Sequence, residues 1–326
     1  MREEHARVSR EDALIAQIAS LIGSPIGDDV AVWQPSRSHR SVITSDALVE
    51  GVHFRRDLMS LHDAGYRAMA SNLSDLAAAG ARPVLATVSL GIPAQMSGED
   101  ILTAYRGIAE CAAAHKCRIA GGDTTRADVF VIAITAVGEV RATNFKGRGG
   151  ARPGDVIALT GPLGAARAGL ILAGSPGMEV TGGAAAALDA FRNPKPRLRE
   201  GKWLAASANV HAMMDLSDGF STDLARMCER SQCGALVESV PAAACVSELA
   251  RDRGWDEREI ALSGGEEFEL LIAVAPRAFA HLAARFSSQF GKPLLRAGTF
   301  RQGSAVAIRN RTDEEPLAAT GWDALA

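Results

Sequence analysis

Short β-rich runs alternate with helix-length stretches from one end of this 326-residue chain to the other. Residues 30–33, 41–44, 84–90 and 129–137 are dense in Val, Ile and Thr, whereas residues 62–79 and 98–115 have the length and apolar spacing of helices. This alternation predicts an α/β or α+β fold in which helices cover sheets. Ahead of it, Ser9 as N-cap and the spacing of Leu14, Ile15, Ile18, Leu21 and Ile22 before Gly23 predict a first helix. Glycine, proline and charge crowd together at residues 146–155 (KGRGGARPGD), which places a domain boundary there and divides the chain into 1–148 and 149–326. The second half continues the mixture. Helices are expected near 163–173, 196–207, 218–231 and 276–287, and strands near 211–215, 268–274 and 294–300.

Charge and cysteine content narrow the function classes. Thirty-five Lys plus Arg against 38 Asp plus Glu leave a net charge of -3 with no basic block to track a phosphate backbone, so nucleic acid is not an expected partner. No apolar run approaches the ~20 residues of a bilayer span, and no membrane partner is expected. The five cysteines are odd in number and never spaced C-x-x-C, which argues against a disulfide framework or zinc ribbon and for thiols in a reducing cytoplasm.

Aspartates recur where strands are expected to run out, beside glycine or serine. They stand in Gly27-Asp28-Asp29, Thr44-Ser45-Asp46, Gly121-Gly122-Asp123 and Asp215-Leu216-Ser217-Asp218-Gly219. Asp75 differs, because it lies in an apolar helical run where a lone charge is costly to bury. One Asp beside Gly reads as a turn or cap residue as readily as a ligand. Five such sites together point to hard oxygen ligands for magnesium, which keeps water and bridges to substrate phosphates, and hence to a polyphosphate nucleotide. The familiar nucleotide signatures are missing: there is no G-x-x-x-x-G-K-[ST] loop, no H-R-D or D-F-G pair and no G-x-G-x-x-G after a strand. A second glycine pair, Ser263-Gly264-Gly265-Glu266, leads into a strand, so that either its backbone approaches a ligand with Glu266 facing it or it forms a bulge.

Taken in order, GDD (27–29), TSDALVEGVHF (44–54), NLSDLAAAGARP (72–83), GGDTTRA (121–127), DLSDG (215–219) and SGGEEFEL (263–270) closely resemble the thiamine-monophosphate kinase family, from about residue 10 to the C-terminus. The resemblance implies the two-domain fold of the aminoimidazole-ribonucleotide synthetase superfamily and a homodimer formed through the N-terminal sheets. It implies that Asp29, Thr44, Ser45, Asp46, Asp75, Asp123, Asp215 and Asp218 form a magnesium shell holding ATP. Of these, Asp46, Asp75, Asp123 and Asp218 carry the catalytic role. Tyr105, Gly122, Asp123, Arg148 and Ser217 are implied as nucleotide contacts, and His53, Glu266 and Trp322 as contacts to thiamine monophosphate. Three departures stand out: Gly149-Gly150 after Arg148 where Ser-Gly is common, Glu267-Phe268 in place of Asp-Tyr, and Phe220 in place of Leu.

The reaction so implied is transfer of the γ-phosphoryl group of ATP to thiamine monophosphate by in-line attack of a phosphate oxygen. A phosphate monoester has its second pKa near ~6, so the nucleophile is mostly ionised at neutral pH and needs no general base. Two alternatives come with the superfamily: another ATP-dependent enzyme, such as a hydrogenase-maturation or selenophosphate-forming one, or a catalytically silent nucleotide-binding relative. The first kind relies on a reactive Cys expected near a terminus, and here no Cys precedes Cys111 or follows Cys245.

Overall fold

The computed structural model describes residues 31–33, 38–175 and 182–322. The helix expected from Ser9 and the ligand expected at Asp29 lie outside them. The first half begins with β1 (Ala31–Trp33) and β2 (His39–Val49), then α1 (Leu61–Ala78), β3 (Arg82–Ile92), α2 (Gly98–Ala114), β4 (Arg118–Arg126) and β5 (Val131–Arg141). Their sheet runs β1-β2-β5-β3-β4, antiparallel except where β3 and β4 pair in parallel. Strict alternation makes the sheet two-faced. Ile132, Ile134, Ala136 and Val140 of β5 are buried under helices, while the residues between them are only half-covered.

Both covering helices start at a capping box. Ser60 accepts from the Asp63 amide and Asp63 reaches back to the Ser60 amide, and Ser97 with Asp100 repeats the arrangement. The helices cross close enough that a Cβ on Gly65 would lie 1.9 Å from the Ala104 carbonyl oxygen. Only small side chains permit that approach, which accounts for the Ala, Gly and Ser content of α1.

The second half continues with β6 (Val156–Leu159), α3 (Ala165–Ala173), α4 (Gly183–Arg192), α5 (Leu198–Ala205), β7 (Val210–Asp215), α6 (Phe220–Ser231), β8 (Gly234–Val237), α7 (Ala244–Arg253), α8 (Glu257–Ser263), β9 (Leu270–Val274), α9 (Pro276–Phe290), β10 (Leu295–Arg301), β11 (Val306–Asn310) and β12 (Asp313–Pro316). Its sheet runs β12-β11-β8-β10-β6-β9-β7. Strand β9 is buried on both faces. Leu270, Ile272 and Val274 join the core that surrounds α1, whereas Leu271 and Ala273 join a second core with Phe220, Leu224 and Met227 of α6. The first core therefore runs from one sheet to the other, with α1 touching α4, α5 and β7 as well as its own sheet.

Two expectations about strand ends need correction. Thr44-Ser45-Asp46 lies in the middle of β2, and Gly121-Gly122-Asp123 lies within β4, not in loops. Glycine beside aspartate is a local turn signal, but eight residues of β4 find register partners on β3, and that pairing prevails.

Candidate active site

A cavity of about 830 Å³ opens between the two halves. Thr44, Ser45, Asp46, His53, Asp75, Arg148, Asp215, Ser217, Asp218, Glu266 and Trp322 all line it. Tyr105, Gly122 and Asp123 do not. Tyr105 packs against the first core, and Gly122 and Asp123 are exposed on the edge strand β4. Three strand spacings separate β2 from β4 in the sheet order, about 14 Å. One chain cannot bring Asp123 into a single ligand shell with Asp46.

The acidic wall is built by three elements converging. Thr44 Oγ1 donates to Asp75 Oδ2, and the Asp46 amide donates to Asn72 Oδ1 over 3.3 Å, so β2 is tied to α1 at two points. The residue beside Asp75, Ser74, donates its hydroxyl to Asp215 Oδ2 over 2.7 Å, reaching β7 of the other sheet. Ser45 has the opposite orientation to its neighbours. Its hydroxyl lies 3.0 Å from Thr135 Oγ1, on the face of the sheet away from α1.

The turn from Asp215 to Gly219 is held from beneath. Asp223, with no exposed surface, accepts the amides of Ser217, Asp218 and Gly219 on one oxygen at 3.1, 3.1 and 3.2 Å. Arg226 Nη1 donates to Asp218 Oδ2 and lies 3.3 Å from the other Asp223 oxygen. Arg148 reaches the same cavity from a backbone that passes close to β7: a Cβ on Gly150, at φ +137°, would lie 2.7 Å from the His211 carbonyl oxygen. The unusual Gly149-Gly150 pair thus fits this passage.

The opposite wall carries a different chemistry. His53 accepts the Val49 amide on Nδ1 over 3.1 Å, which leaves Nε2 protonated in the neutral ring. Burial lowers its pKa, the Arg67 charge lowers it further, and Asp218 opposes the shift. The Trp322 ring stands 6.5 Å from the imidazole at 51° and is 49% exposed, so it belongs to the rim and to no core. Its strap is docked on α6 and the turn before it by three amides: Thr320 to Ser221 Oγ at 3.2 Å, Gly321 to Thr222 Oγ1 at 2.9 Å and Trp322 to the Asp218 carbonyl at 3.0 Å. A Cβ on Gly321 would fall 2.0 Å from that carbonyl.

Glu266, at φ +61°, faces the cavity and pairs with Arg67 of α1. Arg67 is buried, donates also to the Phe191 carbonyl and sits 4.9 Å above the Phe191 ring; burial brings its pKa down to about 10. The neighbouring glutamates do other work. Glu267 accepts the amides of Gly164 and Ala166 at 2.9 and 3.1 Å, capping α3 where Gly164 has no side chain to do so. Glu269 accepts from Thr160 at 2.6 Å and is paired with Arg197.

Arg67, Asp223, Arg226 and Glu269 were not singled out by the sequence patterns, and Glu267 stood out only as a departure from the family's usual Asp. A charged residue inside a helix as buried as α1 is the signal that could have found Arg67. The five cysteines are free thiols and none lines the cavity; burial pushes Cys111 up to about 12 and Cys117 up to about 11, which makes both poor nucleophiles.

Among the described residues no three His, Cys, Asp or Glu side chains converge as a ready-made metal group, and no helix is long and apolar enough to cross a membrane. The donor set of the residues lining the cavity is made of carboxylates and hydroxyls spread over three elements. That chemistry fits a hard cation that keeps water and needs a phosphate to complete its shell.

Two packed α/β halves with a carboxylate-lined cavity between them define the AIR synthase related class. The family model for AIR synthase related protein, N-terminal domain, matches residues 27–140, and that for the C-terminal domain matches residues 152–298. The chain is similar to the thiamine-monophosphate kinase of Rhodopirellula baltica, 38% identical over 84% of this chain and 82% of the relative. It is also similar to the thiamine-monophosphate kinase of Bacillus subtilis, 31% identical over 90% of each. Among solved structures, AaThiL complexed with AMPPCP and TMP superposes with a TM-score of 0.85 at 27% identity, covering 98% of this chain and 99% of that one. Within the class, the chain belongs to the thiamine-monophosphate kinase family, and is thereby an enzyme and a kinase.

Proposed function

We propose that this chain transfers the γ-phosphoryl group of ATP to thiamine monophosphate, giving ADP and thiamine diphosphate. The observation that carries this reading is the division of one cavity into an acidic wall (Thr44, Asp46, Asp75, Asp215, Asp218) and a wall of His53, Glu266 and Trp322. The residues of the acidic wall would hold magnesium, which when bound neutralises the two meeting polyanions. On the opposite wall Glu266 offers a negative charge and Trp322 an indole face to the thiazolium cation. His53 offers an Nε2–H donor, Arg148 reaches the nucleotide from the end of the first half, and Ser217 reaches it from the second. An oxygen of the monophosphate bonds to the γ-phosphorus as the bond to the β-bridging oxygen breaks, and ADP leaves. The nucleophile arrives ionised, so no side chain need take a proton. In this reading, residues 1–148 form the ATP- and magnesium-binding and dimerisation domain, and residues 149–326, which add Asp215 and Asp218, complete the nucleotide and substrate site in a cytoplasmic enzyme.

We further infer a homodimer through the N-terminal sheets. Ile43, Ala47, Ala133 and Val137 lie on the uncovered face, and β4 is a nine-residue edge strand exposed along most of its length. Such an edge invites a partner. A second copy packed on this face brings Tyr105, Gly122 and Asp123 of one chain toward the cavity of the other, supplying what a single chain leaves about 14 Å away.

The test is direct. Protein, magnesium-ATP and thiamine monophosphate are mixed and the products separated; thiamine diphosphate formed in step with ADP supports the reading, and ADP without it overturns it.

A further inference from the structure

Three successive amides pointing at one oxygen form an anion-binding nest, the device by which loops commonly hold a ligand's phosphate. Here the anion is internal. The amides of Ser217, Asp218 and Gly219 converge on Asp223 Oδ2, and Asp223 is fully buried, so it reaches neither solvent nor ligand. Its other oxygen faces Arg226 Nη1 at 3.3 Å, the nitrogen that also donates to Asp218.

We propose that Asp223 is a positioning residue for phosphoryl transfer: by filling the nest it turns the Ser217 and Asp218 side chains into the cavity and denies the loop's amides to the nucleotide. This rests on the kinase reading above. Two features carry it beyond helix capping. The orphan amides of α6 begin at its N-cap, Gly219, whereas Asp223 also fixes the two residues before it, both of which line the cavity. Through Arg226 it further fixes the side-chain partner of Asp218. The nucleotide can then meet this loop only through the Ser217 hydroxyl and the Asp218 carboxylate.

Asp223→Asn keeps an acceptor for the amides but loses the charge facing Arg226; Asp223→Ala loses both. The full-length variants are compared with wild type by thermal melting, by manganese binding read from electron paramagnetic resonance with a non-hydrolysable ATP analogue present, and by thiamine diphosphate formation. The expected result is a manganese affinity weakened about 10-fold in Asn and up to about 100-fold in Ala, with formate, which fits the vacated nest, recovering part of the Ala loss. A folded variant with wild-type manganese affinity overturns the proposal and leaves Asp223 a helix cap, as does a lowered melting temperature with unchanged affinity. If Ala does not fold, Asn decides. A wild-type chain that makes no thiamine diphosphate overturns the kinase reading instead, and the manganese titration still decides on Asp223.

Discussion

The Trp322 amide donates to the Asp218 carbonyl across 3.0 Å, so the aromatic rim of the cavity hangs from the residue whose carboxylate faces the acidic wall. Because the indole is half exposed and outside every core, Trp322→Ala should change stability by less than about 0.5 kcal/mol. Loss of its face over the thiazolium should weaken thiamine monophosphate by about 2- to 30-fold and leave ATP nearly unaffected. Both Michaelis constants and the melting temperature are measured. An unchanged thiamine phosphate constant with a lowered melting point would assign Trp322 to structure alone.

Asp46→Asn should fold normally and lose most turnover at limiting magnesium, since one oxygen donor is weakened at nearly constant shape. The Asp46 amide bond to Asn72 survives the change. A magnesium titration of the rate reads this, and near-normal activity at low magnesium removes Asp46 from the shell.

Subunit complementation tests the shared cavity. Asp46→Asn and Asp123→Asn homodimers should each be nearly inactive. Mixed one to one and allowed to exchange, half the dimers are hybrids with one of two cavities intact, so about a quarter of wild-type activity should return. No recovery in a mixture shown by mass to contain hybrids would place Asp123 outside the partner's cavity. Sedimentation of the wild type should report about twice 34.1 kDa.

Glu267 gives a pH signature in stability. Burial pushes its carboxyl from 4.5 up to about 8, so the folded chain holds a proton there that the unfolded chain releases near 4.5. Its contribution is complete below 4.5 and is lost as pH rises toward 8. Glu267→Gln keeps an oxygen acceptor for Gly164 and Ala166 but cannot titrate. Denaturation at pH 5 and pH 8 should show the variant gaining on wild type at the higher pH, and a constant difference would contradict the raised pKa.

Much of this site was legible because chemistry and spacing coincide in short motifs. Asp215 does end a strand, Ser217 and Asp218 do face the cavity, and Glu266 does enter it beside a glycine pair. The strands meant to end at Asp46 and Asp123 continue instead, because ladder partners on β5 and β3 outweigh local turn preference. What stayed hidden are the residues whose meaning is a distant partner. Arg67 meets Glu266 across 199 positions, and Ser74 meets Asp215 across 141. Asp223, only six positions beyond Ser217, reads locally as an ordinary helical acid, and its role appears when the helix is seen to begin under the turn.

The helix α1 serves both sheets from one continuous core, and its fit to α5 is tight: a Cβ on Gly201 would lie 2.2 Å from the Ala77 carbonyl oxygen. A domain hinge needs a seam that few contacts cross, and among the described residues no such seam runs behind this cavity. Its jaws are set. Admission and release of two large anions must then be handled at the mouth, by the 320–322 strap and the segment bearing His53, and substitutions that loosen the α1–α5 contact would unfold the enzyme before they opened it.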